Sequence, residues 1–117
     1  MRSGEIWLVN LDPTMGSEIR KSRPVVLVQG GHKKNLPLAI VVPVTGFKPA
    51  WAENPFFAVL DPTEINGLQK KSAVDCYQIR CLSHQRFIKL LGKITESQVS
   101  AIKTSLALIL DIEEEHC

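Results

Sequence analysis

Residues 4–28, GEIWLVNLDPTMGSEIRKSRPVVLV, decide how the fold is read. In EIWLVNL (5–11) the side chains alternate. Ile6 and Leu8, with Asn10 next in the series, face one way and Trp7, Val9 and Leu11 the other, the pattern of a half-buried strand. Pro13 and Gly16 break that run. Pro24 then leads into VVLVQ, whose β-branched residues favour a second strand. Between the two, Glu18, Arg20, Lys21 and Arg23 crowd four ionisable side chains against the mouth of the second strand.

Outward from this hairpin the same punctuation recurs. GGHKKN ends the second strand, LPLAIVVPV (36–44) reads as a third, PFFAVLD (55–61) as a fourth and SAVDCYQIR (72–80) as a fifth. From Thr95 the period changes from two to about 3.6. Thr95 and Gln98 form a T-x-x-Q capping box, and Val99, Ile102, Leu106, Ile109 and Leu110 recur on one face. This predicts a helix from about Glu96 to Ile112 docked on the strands. The expected fold class is α+β, mainly β: a small, partly closed β-barrel with a C-terminal helix.

The 117 residues are the size of one domain, and residues 1–117 are read as a single unit without internal repeats or low-complexity linkers. A chain of this length buries roughly two-thirds of its unfolded surface, enough for one core without staples. An apolar fraction of 44% with 22% charged residues is that of a globular protein rather than a disordered one. Cys76, Cys81 and Cys117 make an odd count without a metal-finger spacing, so neither a disulfide framework nor a zinc site is expected. Cys76 and Cys81 are read as buried thiols of a cytoplasmic protein. The N-terminal segment reaches Glu5 before any long apolar core, unlike a secretory signal, and LPLAIVVPV is too short to span a bilayer.

The net charge of +2 is unevenly spread. No acid occurs between Ile19 and Ala52, where Arg20, Lys21, Arg23, Lys33, Lys34 and Lys48 all lie. A second basic region holds Lys70, Lys71, Arg80, Arg86, Lys89 and Lys93 against Asp75, whereas the C-terminal DIEEEHC gathers four acids. Two basic segments suit a polyanionic partner, and a solvated surface suits them equally.

Arg23 precedes a strand that would hold its guanidinium on a rigid base, and such a fork suits a phosphate. Ser17 and Glu18 lie close enough upstream for the loop to fold back with a hydroxyl and a carboxylate. Thr45, closing VVPVTG, brings a second hydroxyl towards the same place. Together these groups would hold an RNA phosphate while the neighbouring 2′-hydroxyl attacks it. Each also has an ordinary structural role: Ser17 and Thr45 as turn residues, Glu18 in a surface ion pair, Arg23 at a sheet edge.

The combination of G-E-I-W before a strand, D-P-T-x-G at the turn and G-S-E leading to R-P and an apolar strand resembles the MazF/PemK family, especially its PemK branch. VVPVT, QIR and LLGKIT follow in the family's order. The resemblance implies an SH3-like barrel, a homodimer, a cognate antitoxin, and metal-independent, cofactor-free cleavage of single-stranded mRNA by a type II toxin. It also implies catalytic roles for Arg23, Thr45, Glu18 and Ser17. RNA contacts are expected from Arg20, Lys21, Lys33, Lys34, Phe47, Lys48, Gln78 and Arg80. Relatives carry an acid directly before the glutamine, where this chain has Tyr77, so the base and acid of the reaction stay unassigned.

His32, His84 and His116 are read as solvent-exposed and left out of the catalytic set. Phe47 is a candidate for stacking unpaired bases, while Trp51 is read as the anchor of its own loop. Two other functions use the same fold: a gyrase-binding toxin of the CcdB type, which would need neither Arg23 nor Thr45, and a nucleic-acid-binding barrel without catalysis.

Overall fold

β-branched and aromatic runs form seven antiparallel strands in the computed structural model, which describes all residues except 14, 19–20, 30–36 and 114–117. They are β1 (Glu5–Asn10), β2 (Ser22–Leu27), β3 (Leu38–Gly46), β4 (Phe57–Leu60), β5 (Ser72–Asp75), β6 (Arg80–Ser83) and β7 (Phe87–Lys93), followed by α1 (Glu96–Ile109). Arg20, Lys33, Lys34, His32, His116 and Cys117 lie outside the described residues.

The sheet order is β4-β5-β3-β2-β1-β7, with β6 also paired to β3. β4 and β7 end that path, and among the described residues no pairing between them closes the sheet. Instead the chain after β4 reaches across to β7, where the Lys93 N–H donates to the Ile65 carbonyl at 3.0 Å. The approach is close enough that a Cβ on Gly67 would fall on the Leu91 carbonyl oxygen and one on Gly92 on that of Ile65. Gly67 also has a φ of +70°, a conformation that costs glycine little.

Period-two alternation sends the central strands into a core on each face. Ile6, Val26, Val42 and Val44 join Leu60, Val74 and Cys76 under the helix residues Ile102 and Leu106. Val9, Leu11, Val25, Leu27, Ala39, Val41 and Leu82 form the other core, with Trp7 and Phe87 packed against it. The expected division of the first strand is therefore observed, with apolar material on both sides.

The expected fifth strand is two strands. Asp75 Oδ1 accepts the Tyr77 N–H at 3.1 Å and caps a 3₁₀ turn over Cys76–Gln78. The six steps of chain from Val74 to Arg80 consequently advance only three along β3, from Val44 to Val41. β7 has no counterpart in the sequence reading, because Ile88 and Leu90 lie on its exposed surface and blur the alternation.

Both halves of the Thr95/Gln98 capping box are present, with Gln98 N–H to Thr95 Oγ1 at 3.1 Å and Thr95 N–H to Gln98 Oε1 at 2.9 Å. The helix stops at Ile109 rather than Ile112. Asp111 adopts φ +55°, its N–H donates to the Leu108 carbonyl, and the Ile112 N–H donates to that of Ala107 at 2.8 Å. This closure satisfies the last helical carbonyls and leaves Leu110 exposed, outside the core expected for it. Cys76 is buried as expected, but Cys81 is exposed. It sits opposite Ile40 on the outward side of β6, while its neighbour Leu82 turns into the core.

Candidate active site

The cleft begins at two prolines. β2 and β3 pair from Leu27–Val41 to Val25–Pro43. Beyond that pair neither Pro24 nor Pro43 has an N–H to extend the ladder. The strands then part: β2 stays with β1 as far as the Asn10–Ser22 pair, and β3 turns to β5 through Thr45–Ala73 and Gly46–Ser72. The opening is a cleft of about 430 Å³ with Arg23 and Pro24 on one lip and Val44, Thr45 and Gly46 on the other. Carried across the gap, the β2–β3 register sets Arg23 opposite Thr45.

The loop that crosses to β7 supplies a further wall through Gly67, Leu68, Gln69 and Lys70, and β7 adds Lys89 and Leu91. Asn66, 2% exposed, organises that loop. Its Oδ1 accepts the N–H groups of Thr63 and Leu68, both at 3.0 Å, and its Nδ2 donates to the Asp61 carbonyl at 2.8 Å. A buried amide with its carbonyl and amino group both engaged gives the loop a fixed shape.

Among the described residues Arg23, Lys70 and Lys89 line the cleft, and no acid does. The Lys70 ammonium lies 3.3 Å from the point where a Cβ on Gly46 would stand, one residue beyond Thr45. Three cations in one cleft favour a bound anion. Among the described residues no group of three His, Cys, Asp or Glu side chains is placed to hold a metal ion.

The structure thus brings Arg23 and Thr45 to one cleft, whose lining includes none of the other described candidates. Ser17 and Glu18 are exposed in the β1–β2 loop, outside the cleft lining. Glu18 closes its own turn, its Oε1 accepting the Met15 N–H at 2.6 Å. Lys21, at φ +69°, is tied back by its N–H to Asp12 Oδ1 at 2.9 Å. Arg86 Nη1 secures the same loop base by donating to the carbonyls of Asn10 and Asp12 at 3.1 and 2.7 Å.

Phe47 follows the Thr45 lip with the Lys71 ammonium 4.5 Å from its ring centre. Lys48 lies 5.2 Å over the Trp51 ring, which stacks on Phe57 at 4.3 Å and anchors the loop. Gln78 Nε2 donates to Asp75 Oδ2 at 2.9 Å, and Arg80 is half-buried opposite Val41. Tyr77 is 65% exposed, near Phe56. The acid nearest to it in the turn, Asp75, is buried with one oxygen on the Tyr77 N–H and the other on Gln78. His84 is exposed beside Phe87. Lys70 and Lys89 were absent from the expected site. Both stood in the second basic region, and the Asn66-Gly67 dipeptide signals the turn that carries Lys70 inward.

Residues 2–110 match a family described as PemK-like, MazF-like toxin of type II toxin-antitoxin system. The chain is 32% identical over 118 residues to the endoribonuclease MazF9 of Mycobacterium tuberculosis, covering 96% of this chain and 98% of that protein. It is 36% identical over 113 residues to the endoribonuclease PemK of Escherichia coli, covering 94% and 82%. Among solved structures, MazF from Deinococcus radiodurans superposes with a TM-score of 0.79 at 20% identity, covering 96% of this chain and 97% of that one. A mycobacterial endoribonuclease in complex with its cognate antitoxin superposes at 0.76 and 17%, covering 98% and 99%. At these identities the two structures speak for the fold.

Proposed function

The chain belongs to the PemK-like, MazF-like toxins of type II toxin-antitoxin systems, and from that premise we propose that its cleft cuts single-stranded mRNA by attack of a 2′-hydroxyl on the adjoining phosphate. The observation that carries this reading is a cleft, without an acid among its described lining residues, in which the strand register sets Arg23 opposite Thr45 across the gap opened by Pro24 and Pro43. A toxin that worked only by binding gyrase would make no use of that arrangement.

In the proposed step the 2′-oxygen bonds to phosphorus and the bond to the 5′-oxygen breaks. The 2′-hydroxyl loses its proton, the leaving oxygen gains one, and the products are a 2′,3′-cyclic phosphate and a 5′-hydroxyl. Negative charge grows on the non-bridging oxygens. The Arg23 guanidinium meets it with charge-assisted hydrogen bonds and the Thr45 hydroxyl donates another. Glu18 and Ser17 belong to the loop that would close on the bound RNA, Glu18 either as the base or to position that loop, and the groups that take and return the protons stay unassigned. The nucleophile is part of the substrate, so the step needs neither an activated water nor a cofactor. The protein acts in the cytoplasm, where mRNA and the cognate antitoxin are found.

A transcript incubated with the protein tests the reading directly. Fragments are expected to carry cyclic phosphate ends, cleavage is expected to persist in chelator, and a 2′-deoxy sugar at the mapped cut is expected to block it without preventing binding. Cleavage of the deoxy substrate would overturn the mechanism.

A further inference from the structure

We propose that Lys70 is a phosphate-binding residue of the cleft, holding the RNA backbone in the ground state while Arg23 serves the transition state. The inference rests on the RNA-cleaving reading and adds a residue to it. Its basis is the position of the Lys70 ammonium, 3.3 Å from the point a Gly46 Cβ would occupy, in the cleft that Arg23 and Thr45 also line. Glycine at 46 leaves that space open for the lysine. Lys70 also follows the loop whose shape Asn66 sets and whose approach to β7 requires Gly67 and Gly92. The charge is thus carried to the cleft by a built loop rather than by a freely solvated tail.

The two cations differ in what they can do. Arg23 is half-buried on a strand held by β1, and its planar fork has a direction, so it can be matched to the geometry of a pentacoordinate phosphorus. Lys70 is exposed on a flexible four-carbon stem and acts as a point charge. A point charge able to follow the phosphate attracts substrate and transition state about equally, which changes KM and leaves kcat alone. It also reads no base, so its contribution is the same for every RNA sequence.

The test uses the full chain and a short RNA spanning a cut mapped in a long transcript, with a 2′-deoxy sugar at the cut for binding measurements. Lys70→Met is expected to raise KM about tenfold with kcat nearly unchanged. It should also flatten the dependence of log affinity on log salt by about 0.7, the loss of one phosphate contact on a single strand. Lys70→Arg should restore both. Lys103→Met removes an exposed lysine of α1 that is not part of the cleft lining. It should leave slope and KM unchanged, which separates a local contact from net charge.

A folded Lys70→Met protein with wild-type slope and KM would overturn the proposal while leaving the nuclease reading intact. So would a loss confined to kcat, or an equal loss in Lys103→Met. A wild-type protein that neither binds nor cuts RNA would overturn both readings together.

Discussion

Arg23 owes its place in the cleft to its neighbour: Pro24 ends the ladder to β3 while β1 still holds the strand at Val9–Arg23. The guanidinium is therefore carried on a paired backbone beside an unpaired gap. Arg23→Ala should lower kcat several-hundredfold, since one preorganised charge donor at a transition state contributes about 3 to 4 kcal/mol. Thr45→Ala should cost less, because a neutral hydroxyl makes a weaker hydrogen bond. Single-turnover cleavage with circular dichroism as a folding control measures both. Glu18→Gln tests the loop carboxylate in the same assay. The two described cysteines differ as sharply. Burial pushes the Cys76 thiol up to about 11, against the opposing hydrogen bond with Ser105 and with the help of the nearby Asp75 charge. The unfolded thiol loses its proton near 9.0, before the folded one, so stability from this group is full below pH 9 and declines as pH rises towards 11. Alkylation of the native protein at pH 8, followed by peptide mass analysis, should label the exposed Cys81 and spare Cys76.

Among the elements, the loop between β4 and β5 joins stability to the site most directly. It bridges the open side of the sheet through Ile65 and Lys93, and its continuation forms a cleft wall. Gly67→Ala combines a left-handed backbone with a Cβ driven onto the Leu91 carbonyl, so the loop must lift from β7. A stability loss of roughly 1–3 kcal/mol in urea titration is expected. RNA binding should weaken alongside it, because Lys70 leaves its position over Gly46. Retained stability with unimpaired binding would show that the close approach to β7 is not needed. The helix reaches the site only through the core: its buried Ile102 and Leu106 share a cluster with Val44, against which Leu68 and Leu91 of the cleft wall also pack.

On the scale of the whole molecule, charge and apolar surface both point to partners. Among its described residues the cleft presents cations without acids, so an antitoxin segment that is acidic and extended would exclude RNA by charge and shape. Inhibition should weaken as salt is added, and a salt-independent complex that leaves cleavage intact would count against that mode. Ile88 and Leu90 on the edge strand β7, with Leu108 and Leu110 at the end of α1, remain exposed in the single chain. We expect a twofold dimer to cover part of this surface. Light scattering at micromolar protein should give twice the 13.0 kDa chain mass.

The sequence by itself determined what depends on neighbours along the chain. Alternation in EIWLVNL and VVLV, the Thr95–Gln98 box and the helical face of Ile102 and Leu106 are local patterns, and the structure bears them out. Resemblance in the same stretches singled out Arg23 and Thr45, whose joint position in the cleft is observed. Only the tertiary structure decided the rest. The Cys76–Gln78 turn divides an apparently continuous run because a buried Asp75 caps it, and no periodicity registers a slip along a partner strand. β7 escaped because an edge with exposed apolar residues lacks the polar face that marks a strand. Lys70 and Lys89 come to the cleft that Thr45 lines from distant parts of the chain, through loop closure and strand order. Which charges converge on one phosphate is set by the three-dimensional path of the backbone, and spacing along the sequence carries no record of it.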